Sequence, residues 1–113
     1  MHELSIAESI IKIINSEAER SRFERVVEIR LALGEYSGIV PECIREFFPI
    51  AAKGTKAEGA LLDFRTEKAV FSCGSCGYEG EIDRKDPVCP LCRSSGITMI
   101  HGREFFIDSI GVE

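Results

Sequence analysis

The apolar residues at the start of the chain recur at helical spacing. Ile6, Ile10, Ile13, Ile14 and Ala18 fall on one side, with Lys12, Glu17, Glu19 and Arg20 on the other. This predicts an amphipathic helix over residues 5–20. Ser5 and Glu8 have the spacing of a capping box, in which the hydroxyl accepts from the Glu8 N–H and the carboxylate reaches back. The period then changes to two. Val27, Ile29, Leu31 and Leu33 alternate with Glu28, Arg30 and Ala32, which predicts a half-buried strand ended by Gly34. Pro41 suits the first position of a second helix, with Ile44, Phe47, Phe48 and Ala51 as its apolar face and Gly54 as its stop. Pro49 removes one ladder hydrogen bond from that helix and predicts a kink or an early end. Two more strands are expected. One covers residues 60–67, with Leu62 and Phe64 on one face. The other covers 104–110, where Phe105, Ile107 and Ser109 oppose Phe106, Asp108 and Ile110.

Between these last strands the pattern breaks. Residues 73–96, CGSCGYEGEIDRKDPVCPLCRSSG, are rich in glycine, proline, cysteine and charge and hold few core formers. Such a segment needs an organiser other than apolar burial, and a metal ion is the obvious one. The expected fold class is α+β, a small mixed sheet packed with two helices. Residues 1–70 and 101–113 form that main lobe, and residues 71–100 form an inserted zinc-ribbon-like lobe.

Composition narrows the function classes. The 113 residues carry a formal net charge of −5, which argues against a nucleic-acid surface built on clustered Lys and Arg. No apolar run reaches the roughly 18 residues of a membrane span. No basic, apolar and small-residue segments follow one another as in a secretory signal, so the expected location is cytoplasmic. In a reducing compartment the five cysteines point to metal or redox use rather than to disulfides.

Cys73-Gly-Ser-Cys76 and Cys89-Pro-Leu-Cys92 are two C-x-x-C pairs separated by twelve residues. Each two-residue gap lets both sulfurs of a tight turn face one ion, and the intervening hairpin brings the turns together into a tetrahedral S4 site. Zinc is the metal that this donor set favours. An iron site of rubredoxin type uses the same geometry, and a dithiol redox pair is the weaker alternative. Four thiolates on a divalent ion leave a formal charge of about −2, which Arg84, Lys85 or Arg93 is placed to offset. Cys43, beside Ile44 in the second predicted helix, reads as a buried core cysteine. His101 reads as an exposed loop histidine, with a labile fifth ligand or a pH sensor as the alternative.

Met1-His2-Glu3 has two readings. It is a polar start to a helix, or it is a chelating terminus. In the second reading the Met1 amine, the deprotonated His2 backbone nitrogen and the His2 imidazole bind one ion, and Glu3 supplies a fourth place. Nitrogen-rich planar ligation of this kind suits Ni(II) or Cu(II), and its need for deprotonation makes it pH-sensitive.

Taken together, Met1-His2-Glu3 ahead of an amphipathic helix, the stretch Gly34-Glu35-Tyr36-Ser37 and the paired C-x-x-C motifs resemble the HypA family. Its members are nickel-delivery accessory proteins for the maturation of nickel–iron hydrogenase. The resemblance covers essentially the whole chain. It implies a non-enzymatic metallochaperone with one lobe holding structural Zn(II) and the other offering Ni(II), its cargo, at the N-terminus. Residue by residue, it assigns His2 as the nickel ligand, with Glu3 and the Met1 amine beside it. It assigns Cys73, Cys76, Cys89 and Cys92 as the zinc ligands. It implies a HypB-type GTPase and the hydrogenase large subunit as partners, with urease components for some members. The expected oligomeric state is a monomer or a weak homodimer. Some members carry an assisting acidic residue in the loop after the first long strand. Here that region reads Gly38-Ile39-Val40-Pro41-Glu42, where Val40 cannot serve and Glu42 is the one carboxylate. The alternative function is a zinc-ribbon protein-interaction module without a nickel role.

Overall fold

In the computed structural model, which describes residues 3–113, the first helix, α1, spans Glu3–Ser21. It starts two residues earlier than the capping box predicts. Ser5 therefore lies inside the first turn, and its backbone carbonyl accepts the Ser9 hydroxyl at 2.9 Å. The earlier start leaves Glu3 in the first turn, where a carboxylate faces the positive end of the helix dipole. The buried stripe is Ile6, Ala7, Ile10, Ile11, Ile14 and Ala18. Ile13, expected in the core, is 55% exposed. At about 100° per residue the buried set is centred on Ile14, which leaves Ile13 about 100° from its middle and Ile11 only about 60° away.

Strand β1 spans Val26–Gly34 and is central in a three-stranded sheet, between β2 (Leu61–Glu67) and β6 (Phe105–Val112). The Val26 N–H bonds to the Lys56 carbonyl and the Glu35 N–H to the Glu67 carbonyl, so β1 and β2 run parallel. The Glu113 N–H bonds to the Arg25 carbonyl and the Gly34 N–H to the Glu104 carbonyl, so β6 runs antiparallel to β1. The sheet is mixed, as the sequence predicts. Parallel neighbours need a crossover of a dozen or more residues, and α2 (Pro41–Ala52) provides it. Central placement explains why Val26, Ile29, Leu31, Ala32 and Leu33 are all buried. The edge strand β2 instead alternates, with Leu62 and Phe64 turned inward as expected. In β6 the predicted alternation holds through Asp108. Ser109 is then exposed and Ile110 half-buried, the reverse of the expected grouping.

Pro41 opens α2, and the helix continues through Pro49 to Ala52 rather than ending early. Ile44, Phe48 and Ala52, four residues apart, are its buried face, and α2 packs on α1. One lost ladder bond near the C-terminal end of α2 is offset by that packing. Cys43 is half-buried rather than in the core, because it lies beside this face and not on it.

The chain divides into two compact units. One comprises Met1–Ala32, Ile39–Arg65 and Phe106–Glu113; the other comprises Leu33–Gly38 and Thr66–Phe105. The first holds both helices and a core in which Ile10, Ile14, Ile29, Leu31 and Ile44 are essentially sealed from water. The second has its own antiparallel sheet, with β3 (Val70–Cys73) between β4 (Glu79–Gly80) and β5 (Ile97–His101). Within the hairpin expected between the cysteine turns, only the two-residue β4 is regular strand. Among the described residues, no helix is long and apolar enough to cross a membrane.

Candidate metal centre

Cys73 is the last residue of β3 and Cys76 closes the turn that follows. Two bonds shape this turn: the Gly77 N–H donates to the Cys73 carbonyl at 3.1 Å, and the Ser75 N–H donates to Cys73 Sγ at 3.4 Å. The second turn repeats the arrangement. The Arg93 N–H donates to the Cys89 carbonyl at 2.9 Å, and the Cys92 N–H donates to Cys89 Sγ at 3.5 Å. Each turn needs a left-handed residue directly after its second cysteine. Gly77 fills that place at φ 80° without strain, and Arg93 fills it at φ 64°. Most L-residues pay about 1 kcal/mol for that conformation, so the second turn, at Arg93, is held against a small backbone cost.

The two turns bring all four sulfurs within 4.8 Å of one another. Cys73 Sγ lies 3.6 Å from Cys92 Sγ, and Cys76 Sγ lies 3.6 Å from Cys89 Sγ. A tetrahedron with metal–sulfur bonds of about 2.3 Å has edges of about 3.8 Å, so the cluster fits a four-thiolate ion with little movement. Cys73 and Cys89 are buried, while Cys76 and Cys92 are exposed. These four are the only group of three or more metal-ligating side chains among the described residues. His101 stands exposed at the end of β5, outside the cluster. Arg93, expected to offset the thiolate charge, is engaged by Asp86 at 3.0 Å.

Proton occupancy differs within each close pair. Backbone N–H groups of Cys76 and Ser75 lower the Cys73 thiol to about 6. Burial opposes ionisation of Cys89, but the N–H groups of Cys92 and Leu91 and the thiols around it bring its pKa below the ordinary value. For Cys76, the Tyr78 N–H favours the thiolate, but the Cys89 sulfur, burial and the other thiols together push it up to about 12. Cys92 is raised in the same way, by burial and by Cys73 against a favourable Ser94 N–H. The metal-free site at neutral pH thus keeps Cys76 and Cys92 as thiols while Cys73 is largely ionised, whereas a bound divalent ion takes four thiolates. Metal binding is therefore expected to release at least about two protons near neutral pH, from Cys76 and Cys92, with affinity rising at least about 100-fold per pH unit there. Below about pH 6 Cys73 also takes up its proton, and the dependence steepens. Zinc titration in weakly buffered solution with a pH indicator measures the release; a value near zero contradicts this protonation pattern.

Of the sequence-predicted nickel residues, Met1 and His2 lie outside the described residues. Glu3 is half-buried at the start of α1, and Glu42 is exposed in the first turn of α2. The stretch Gly34-Glu35-Tyr36-Ser37 belongs to the cysteine-bearing unit. Glu35 accepts the Ala69 N–H at 2.9 Å, and the Tyr36 ring meets Phe71 edge-on at 5.9 Å between centroids. Arg84, from the hairpin between the cysteine pairs, lies 4.4 Å over the Tyr36 ring and 3.9 Å from Glu35. Sequence reasoning missed this cluster, since nothing local links positions 35, 36, 71 and 84. A charged hairpin tip with no partner of its own was the available signal.

Comparison with known proteins gives one consistent result. Residues 1–112 match the family described as "Hydrogenase/urease nickel incorporation, metallochaperone, hypA". The chain is 42% identical over 113 residues to a protein named hydrogenase maturation factor HypA from Chlorobium limicola, covering all of this chain and 97% of that one. It is 40% identical over 113 residues to a protein of the same name from Dehalococcoides mccartyi, covering all of this chain and 95% of that one. The solution structure of the Ni metallochaperone HypA from Helicobacter pylori superposes with a TM-score of 0.73 at 23% identity, over 99% of this chain and 97% of that one. A second solution structure of a HypA protein gives 0.77 at 22% identity, over 100% and 97%. At that identity the structures speak for the fold.

Proposed function

Because the chain belongs to the HypA family, we propose that it is a nickel metallochaperone serving the maturation of nickel–iron hydrogenase. It delivers Ni(II), holds Zn(II) structurally at Cys73, Cys76, Cys89 and Cys92, and turns over no substrate. The observation that carries this reading is the family match over residues 1–112, which includes both the first residues and the two cysteine pairs. The S4 cluster supports it, because a set of four close sulfurs with two buried members suits a retained ion and leaves the cargo to be held elsewhere. We place the cargo at the N-terminus of the first unit, on His2 with the Met1 amine and Glu3, and zinc in the second unit. The partners that follow are a HypB-type GTPase and the hydrogenase large subunit, in the cytoplasm, with urease components as further recipients.

Nickel titration of the untagged protein and of His2→Ala tests the assignment. His2→Ala is expected to weaken Ni(II) binding by more than the roughly 10- to 100-fold that loss of an outer-shell partner costs. The d–d absorption should change while zinc content stays the same. An N-terminal extension that removes the free amine is expected to act alike. Nickel binding unchanged in His2→Ala, with one zinc retained, would instead favour an interaction module built on the zinc lobe.

A further inference from the structure

The hairpin between the cysteine pairs has little apolar burial to hold it. None of residues 77–88 is buried. Strand β4 contributes only two residues, pairing Glu79 with Ser72 and Gly80 with Phe71. At the tip, Asp83 and Asp86 close a turn, with the Asp86 N–H on the Asp83 carbonyl and the Lys85 N–H on Asp83 Oδ1. Arg84 projects from this turn. With no apolar anchor, the segment is fastened by its two flanking cysteines, by the β4 pairing, by the Cys73 N–H on the Tyr78 carbonyl and the Tyr78 hydroxyl on the Glu81 carbonyl, by the Asp86–Arg93 ion pair and by what Arg84 touches.

The tip touches a prepared surface. Tyr36 is braced by Phe71, and its N–H bonds to the Gly102 carbonyl at 2.7 Å. Glu35 is held by its N–H to the Glu67 carbonyl at 2.8 Å, while one carboxylate oxygen takes the Ala69 N–H. Its other oxygen faces Arg84. One guanidinium thus meets an aromatic face and a carboxylate that are both immobilised by other contacts. Such a pair suits Arg better than Lys, because a planar guanidinium can stack and donate together.

We propose that Arg84 is a metal-dependent latch: an ion in the cysteine site fastens residues 77–88, and Arg84 then clamps the Glu35–Tyr36 turn. The inference rests on the reading of Cys73, Cys76, Cys89 and Cys92 as a metal site. The energetic logic is reciprocal. If the ion populates the clamped conformer, the clamp strengthens ion binding by the same factor. A cation–π contact at an exposed position corresponds to about a two- to fivefold change in affinity. The Glu35–Tyr36 turn thereby reports whether the cysteine site is filled.

The chain has two tyrosines and no tryptophan, so Tyr78→Phe leaves Tyr36 as the sole tyrosine reporter. In that background, near-ultraviolet circular dichroism is followed with zinc bound and after chelation. Zinc release is measured in parallel with a chromophoric chelator. The Tyr36 band is expected to fall as zinc leaves. In Arg84→Ala it should already be low with zinc bound, with zinc affinity about two- to fivefold weaker; Arg84→Lys should restore little. A Tyr36 band indifferent to measured zinc release overturns the latch, as does Arg84→Ala with unchanged band and affinity. Failure to bind zinc at all overturns the metal-site reading beneath it. Hydrogen exchange of the zinc-loaded Arg84→Ala protein checks folding: β3 and β5 should keep their protection while residues 34–38 lose it.

Discussion

Removing the metal from the cysteine site is expected to unfold the second unit while the helical signal of the first survives. The magnitudes decide this. Metal binding to a structural site of this kind is worth about 10–16 kcal/mol in small zinc domains, comparable to or larger than the roughly 5–15 kcal/mol that stabilises a whole domain. Against that, the large apolar side chains buried in the second unit are few. Phe71 and Leu33 are the main ones, each contributing about 1.5–3 kcal/mol, joined by the small Ala69. Both helices, by contrast, lie in the first unit, on a core of isoleucines far from the cysteines in sequence. Cys89→Ser should be more damaging than Cys92→Ser, because Cys89 is fully buried and its sulfur takes the Cys92 N–H. The measurements are far-ultraviolet circular dichroism for the helices and limited proteolysis for residues 77–88. Helical signal lost together with zinc would show one cooperative unit instead of two.

Gly34→Ala is expected to be the most harmful single-methyl change in the chain, costing about 3 kcal/mol. A Cβ at Gly34 would lie 2.2 Å from the Gly102 carbonyl oxygen and 2.7 Å from the Arg103 nitrogen. Those atoms are backbone, so no rotamer change relieves the contact. The facing chain cannot simply step back either. Gly102 carries φ 149°, its carbonyl accepts from Tyr36, and the Glu104 carbonyl accepts from Gly34 itself at 2.7 Å. The Glu104 carboxylate further ties this turn by accepting the Gly102 and Arg103 N–H groups, which lowers its pKa from the ordinary carboxylate value. Denaturant unfolding of the zinc-loaded variant measures the loss. A midpoint within experimental scatter of the parent would mean that the Gly34–Gly102 approach is not constrained. Gly74→Ala in the first cysteine turn should be less harmful, since a Cβ there meets nothing closer than the Gly96 carbonyl at 3.6 Å.

Different layers of the molecule were legible to different degrees. The four cysteines were readable because ligand spacing is a local property: two residues between sulfurs make a turn whatever the rest of the chain does. Helix and strand identities were readable from period, and so was the inward face of β2. The errors lie at boundaries and phases. The Ser5 cap fails because the helix begins at Glu3, and a local hydrogen-bonding option does not decide where packing starts a helix. Ile13 and Ile11 exchange places because the stripe centre depends on where α2 and the sheet lie. Pro49 does not end α2, since the buried Ile44, Phe48 and Ala52 outweigh one missing bond.

The sequence by itself thus determined the four-cysteine cluster, the α+β class and the family, because each rests on residue type at short range or on similarity along the whole chain. Tertiary structure alone decided what Gly34, Glu35 and Tyr36 touch. Gly34 ends β1, Glu35 and Tyr36 turn after it, and all three belong to the second compact unit, where Gly102, Ala69, Phe71 and Arg84 meet them. Contacts across more than thirty positions arise from how strands pair and chains cross, which no local pattern of hydrophobic and polar residues encodes.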